Sequence, residues 1–191
     1  KPLTTKPPQV YPTPALDKDN LRPVFYDGLP YQGKSTRVFA YFGLPANADA
    51  RHKVPGMVLV HGGGGTAFPD WVRIWNERGY AAIAMDLEGH APGTNEFAGP
   101  ARVGVFNDAH LPLTNQWMYH AVADIMLAHS LLAAQPGVDA KRIAVTGISW
   151  GGVLSSLVAG VDVRFKFAAP VYGCGFLYDS AGFFGKSLRQ S

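Results

Sequence analysis

Ser149 stands in the segment Gly147-Ile148-Ser149-Trp150-Gly151-Gly152, between an apolar run that reads as a buried strand and a run that reads as a helix. A serine in that setting sits on a sharp corner with its side chain lifted above a sheet. The corner crowds neighbouring backbone, so glycine is needed two residues to either side. The helix that follows directs its first-turn N–H groups and its dipole at the same point, where developing negative charge is stabilised. The chemistry implied is attack of a hydroxyl on an acyl carbon. G-x-S-x-G alone is a weak signal, and the competing reading is a glycine-rich turn with an incidental serine. The strand–corner–helix context favours the nucleophile.

A second motif, His61-Gly62-Gly63-Gly64-Gly65, follows another apolar run. Acyl transfer passes through a tetrahedral oxyanion that needs fixed donors. A glycine loop at the end of a strand lets backbone N–H groups come close. The donors are therefore assigned to Gly63 or Gly64, together with the N–H of Trp150. A phosphate-binding loop competes, but the spacing fits neither G-x-G-x-x-G with its acid nor a lysine-bearing P-loop. His61 is expected to shape this loop rather than to act as a base. Asp86 and His90, in the run DLEGH, are expected to end a strand and order a loop.

These motifs require elements to hold them. Residues 1–22 read as an extended arm, because five of the first fourteen are proline and proline removes ladder donors. Residues 23–191 read as one domain. Residues 24–26 and 37–42 suggest a strand pair, and 56–61 a strand covered on both faces. Residues 68–79 have helical spacing, 80–85 form another buried strand, and 87–113 a long loop. Trp117, Ala121, Ile125, Ala128 and Leu132 make one stripe of a helix over 114–135. Residues 142–146, 150–159 and 164–172 follow as strand, helix and strand. This alternation predicts an α/β fold with a mostly parallel sheet, helices on both faces and right-handed crossovers.

Composition narrows the function. The chain has 191 residues, about half of them apolar, and a formal net charge of +3. That suits one packed domain and argues against disorder. No Lys/Arg run suggests a nucleic-acid partner, and no stretch of about 18 apolar residues suggests a membrane span. Cys174 is the only cysteine, so no intrachain disulfide forms, and a packing thiol is expected. The chain opens on Lys1 without a methionine. A mature secreted or periplasmic protein is one reading of that start and an arbitrary boundary the other, with a cytoplasmic location left open. Neither a metal nor an organic cofactor is implied.

The order HGGGG, a strand ending in Asp86, then GISWGG resembles the α/β-hydrolase superfamily over about residues 23–178. Within it, YHAVAD at 119–124, VDAKRIAVTGISWGG at 138–152 and RFKFAAPVYGCG at 164–175 resemble the bacterial acetyl xylan esterase and dienelactone-hydrolase-like groups. Those groups border on prolyl-oligopeptidase-type peptidases. The resemblance implies Ser149 as nucleophile, residues 61–65 as oxyanion loop, and short acyl esters, such as acetylated sugars, as substrates. The rival readings are a serine peptidase and a non-catalytic, partner-binding relative.

One part of the pattern breaks. The superfamily places an acid and then a histidine after the serine, yet the last of the six histidines is His129. Three readings follow: a chain lacking its C-terminal strands, with the base elsewhere or on another chain; an upstream histidine (His90, His110 or His120) in its place; or a relative without activity. Asp179 holds a position some members use for the acid, and the plainer reading is a turn aspartate. Strand 164–172 would be an open, apolar edge. Such edges recruit partners, so self-association or a companion chain is expected there.

Overall fold

The structure is a computed structural model, and it describes residues 2–17, 21–90, 92–93, 97–104, 106–173 and 175–190, the side chains of Pro2 and Phe184 excepted. The expectation for Cys174 falls outside the described residues. Seven strands form one sheet in the order β1-β2-β3-β5-β4-β6-β7. β4 (Val54–Val60), β5 (Ala81–Met85), β6 (Val138–Ile148) and β7 (Phe167–Val171) run parallel. β1 (Val10–Pro12), β2 (Arg22–Asp27) and β3 (Arg37–Gly43) extend this core as antiparallel strands, β3 pairing with β5.

Alternation along the central strands sorts their side chains between two helical layers. Met57, Leu59, Ala82 and Ala84 face α2 (Pro69–Glu77), whose Trp71, Val72 and Trp75 pack with them. Val58, Val60, Ile83, Met85, Ile143 and Val145 face the other way. There they meet Ala121, Ile125, Ala128 and Leu132 of α3 (Trp117–Ala133) and Leu154 and Val158 of α4 (Trp150–Val161). Both faces of the parallel core are thus apolar, which is why those strands read as unbroken apolar runs.

Three differences from the sequence reading have local causes. Residues 1–22 are not simply an extended arm: Pro2–Thr5 forms a short helix, α1, and β1 hydrogen-bonds to β2. β1 is three residues long and ends in proline, too little for a periodic signal. β6 starts at Val138 rather than 142. After the buried Val138, residues 139–142 are half-buried or exposed and mostly polar, and a register shift separates the Val54–Val138 pairing from the Gly56–Ile143 pairing. A further amphipathic helix, α5 (Phe183–Gln190), follows β7. Among the described residues β7 is one edge of the sheet and β1 the other, and on β7 Phe167 and Val171 are exposed.

Candidate active site

β6 delivers Ser149 to the C-terminal edge of the parallel strands, where crossover loops gather and ligands bind in open α/β sheets. The residue adopts φ 57° and ψ −116°, a conformation costing about 1–3 kcal/mol for a residue with a Cβ. Backbone bonds enforce it. The Ser149 N–H donates to the Val171 carbonyl at 3.0 Å, and its own carbonyl accepts from Gly152 at 2.8 Å and Val153 at 3.1 Å.

The glycines around the serine are steric necessities. A Cβ on Gly147 would stand 2.4 Å from the Gly151 carbonyl oxygen, one on Gly151 2.1 Å from that of Val60, and one on Gly152 2.3 Å from that of Tyr172. All three obstacles are backbone. The corner therefore packs directly on the end of β4 and on the loop leaving β7. Ser149 is half-buried, and none of the hydrogen bonds found among the described side chains involves its hydroxyl.

The glycine loop closes over the same corner. Gly65 N–H donates to the Gly62 carbonyl at 3.0 Å, and Gly64 has φ +73°, the positive φ that the third residue of a type II turn requires. A Cβ on Gly62 would lie 3.5 Å from the Ser149 Cβ, and one on Gly63 2.6 Å from Cδ1 of Trp150. Residues 62–63 thus sit against the serine and the start of α4, whose first-turn N–H groups point out of the helix. Of the two glycines expected as donors, Gly64 directs its N–H to Glu88 Oε1 at 3.0 Å. That amide is already engaged, and the expectation narrows to Gly63.

His61 holds the loop, as expected. Its Nε2 accepts the Leu87 N–H at 2.8 Å, so the proton sits on Nδ1, which donates to the Gly62 carbonyl at 2.6 Å. Burial lowers its pKa further, keeping the ring neutral. Asp86 likewise organises the next loop. Its Oδ1 accepts from the Glu88 and His90 amides at 3.0 Å each, and its Oδ2 from Thr66 at 2.7 Å.

The other histidines have separate employment. His90 Nδ1 lies 3.1 Å from Asp86 Oδ2, and His120 Nε2 lies 2.9 Å from the Thr114 carbonyl. His110 is exposed in the long loop. Asp179 is an exposed turn residue. None of them is bonded to Ser149 among the described residues.

Three features escaped the sequence reading. The Trp150 ring is buried between Phe106 at 5.1 Å and Trp117 at 5.8 Å between centroids. Trp117 in turn donates its indole N–H to the Leu87 carbonyl. Glu88 is buried and paired with Arg102, Nε to Oε1 2.9 Å. A second carboxylate three residues past the end of an apolar strand was the one available hint. Arg102 lay in a loop with no periodic signal.

The sequence pattern described as Acetyl xylan esterase (AXE1) matches residues 22–181. The chain belongs to this family. An acetyl xylan esterase from Paenibacillus sp. R4 superposes on this family member with a TM-score of 0.71 at 27% identity, over 88% of this chain and 54% of that one. Acetyl xylan esterase 1 from Thermoanaerobacterium sp. JW/SL YS485 gives 0.74 at 19% identity, over 96% and 60%, a likeness of fold. A probable dipeptidyl-peptidase 5 of Aspergillus terreus is 28% identical over 148 residues, 74% of this chain and 19% of the peptidase. This acetyl xylan esterase family chain has the α/β-hydrolase fold, and it spans little more than half the length of the two solved esterases.

Proposed function

We propose that the protein is a serine carboxylic-ester hydrolase that works through an acyl-enzyme on short acyl, and specifically acetyl, esters of a carbohydrate. The observation that carries this reading is the left-handed Ser149 corner, with Gly62 and Gly63 packed against it at the mouth of α4. The Ser149 Oγ attacks the ester carbonyl carbon, the carbonyl π pair moves onto oxygen, and the hydroxyl proton passes to a general base. The Gly63 and Trp150 amides receive the oxyanion, and Gly64 anchors their loop. Collapse of the tetrahedral species expels the alcohol, which takes the proton, and water then releases the acid by the same steps. We place the base, a histidine in this superfamily's pattern, outside the described residues.

Turnover of p-nitrophenyl acetate by the wild type and by Ser149→Ala tests this. The variant is expected to lose at least about 10⁴-fold in kcat, together with labelling by a fluorophosphonate. Equal rates would remove Ser149 from the mechanism.

The Aspergillus likeness supports a second reading, peptide hydrolysis by the same serine. Faster cleavage of a dipeptidyl p-nitroanilide than of acetylated xylo-oligosaccharides would favour it. An acetylated polymer is met outside the cell, so the ester reading carries with it the proposal of an exported protein. N-terminal sequencing of the natural protein would check that. Among the described residues no helix is long and apolar enough to cross a membrane.

A further inference from the structure

The oxyanion loop is held by more than its own turn. Glu88 is 7% exposed, and its Oε1 accepts two bonds, from the Gly64 N–H at 3.0 Å and from Arg102 Nε at 2.9 Å. The Glu88 backbone is fixed in turn by Asp86, whose Oδ1 takes its N–H at 3.0 Å. Arg102 closes its own loop through Nη1 to the Gly104 carbonyl at 2.8 Å. Its remaining nitrogen, Nη2, faces Gly63, 3.2 Å from where a Cβ would stand, and Trp150 Cδ1 lies 2.6 Å from that same point. Gly63, the proposed donor, is therefore covered on its Cβ side by an indole and a guanidinium, while its neighbour Gly64 is tethered to a buried carboxylate.

The charges make this arrangement workable. A lone buried carboxylate one residue from an oxyanion site would oppose the charge that forms there. The guanidinium neutralises it at hydrogen-bond distance, so the tether adds rigidity without repulsion. We propose that Glu88 and Arg102 are positioning residues for the oxyanion loop, acting through Gly64 and Gly63, and that they tie the loop at 99–104 to the catalytic centre. This rests on the ester-hydrolase reading.

The roles predict a pattern across four variants of the whole protein with p-nitrophenyl acetate, each shown to be folded by its thermal unfolding. Glu88→Ala frees Gly64, and kcat falls roughly 10-fold or more while KM changes less than about 3-fold, a loss felt in the transition state. Glu88→Gln keeps an acceptor for the Gly64 N–H and restores most of that kcat. Arg102→Gln leaves the carboxylate unneutralised and lowers kcat by a similar factor. The double variant Glu88→Gln/Arg102→Gln, with no buried charge, is faster than Arg102→Gln alone. Wild-type kcat in Glu88→Ala, equal losses in Glu88→Ala and Glu88→Gln, or a double variant no faster than Arg102→Gln would overturn the proposal. Turnover that survives Ser149→Ala overturns the hydrolase reading and this proposal with it. Turnover that requires Ser149 but ignores Glu88 overturns the clamp alone.

Discussion

Replacing Gly151 by alanine would put a methyl carbon 2.1 Å from the Val60 carbonyl oxygen and 2.7 Å from that of His61. A relaxed C···O contact is about 3.3 Å, so something must move by about 1.2 Å. Neither obstacle is a side chain that can swing away. The oxygens belong to the last residue of β4 and to the residue after it, and the carbon to the first turn of α4. Overpacking costs about 1–3 kcal/mol, and the rigidity of both partners places this case near 3. For a chain of this length that is a fall of roughly 6–12 °C in Tm. The required shift also separates Ser149 from the glycine loop, and a displacement of about 1 Å at a reacting centre costs about 100-fold in kcat. Gly160→Ala is the matched control on the same helix. No atom lies within 4 Å of its added carbon, and alanine is better than glycine in a helix by about 0.5–1 kcal/mol, so Tm should rise slightly. Thermal unfolding by circular dichroism and p-nitrophenyl acetate turnover measure both effects. A Gly151→Ala protein that melts with the wild type, or keeps its kcat, would refute the close approach of α4 to β4.

Three further predictions follow from other sites. The positive φ at Ser149 suits glycine, so Ser149→Gly should be more stable than Ser149→Ala by about 1 kcal/mol in urea unfolding, although the proposed mechanism predicts that both are inactive. His129 is 2% exposed, among the described residues neither ring nitrogen has a partner at full hydrogen-bond geometry, and burial followed by the Arg164 charge lowers its pKa to about 4. The unfolded chain then binds the proton first, near pH 6.5, so stability falls as pH drops from about 6.5 towards 4, by at most about 3 kcal/mol; His129→Leu should flatten that part of the urea-midpoint profile. The exposed β7 edge, with Phe167 and Val171 accessible, should support association with a second copy or a companion chain. Light scattering at micromolar concentration is expected to show a mass above the monomer that Phe167→Lys lowers, and a monodisperse wild-type monomer would argue against it.

Much of this molecule was legible because its signals are local. The apolar runs of β4 and β5 and the stripe of α3 located those elements within a few residues, since burial on one or two faces imposes a period on the sequence. The Ser149 corner was legible for a steric reason: a corner that tight excludes side chains two residues to either side, and Gly147 and Gly151 record the exclusion. β1 was not legible, because three residues ending in proline show no period and gain their place only by pairing with β2. The strand start at Val138 was hidden by exposed polar residues and a bulge.

The division is clearest at the glycine loop. Its composition alone said that backbone would approach something closely, but four consecutive glycines do not say which amide is aimed where. That was decided by Glu88, 24 residues away along the chain, and by Arg102 beyond it. Their side chains meet the loop only because β4 and β5 lie side by side in the sheet. Conformational freedom is a property of the residue and can be read from its type; the direction of a hydrogen bond belongs to a pair, and only packing brings the pair together.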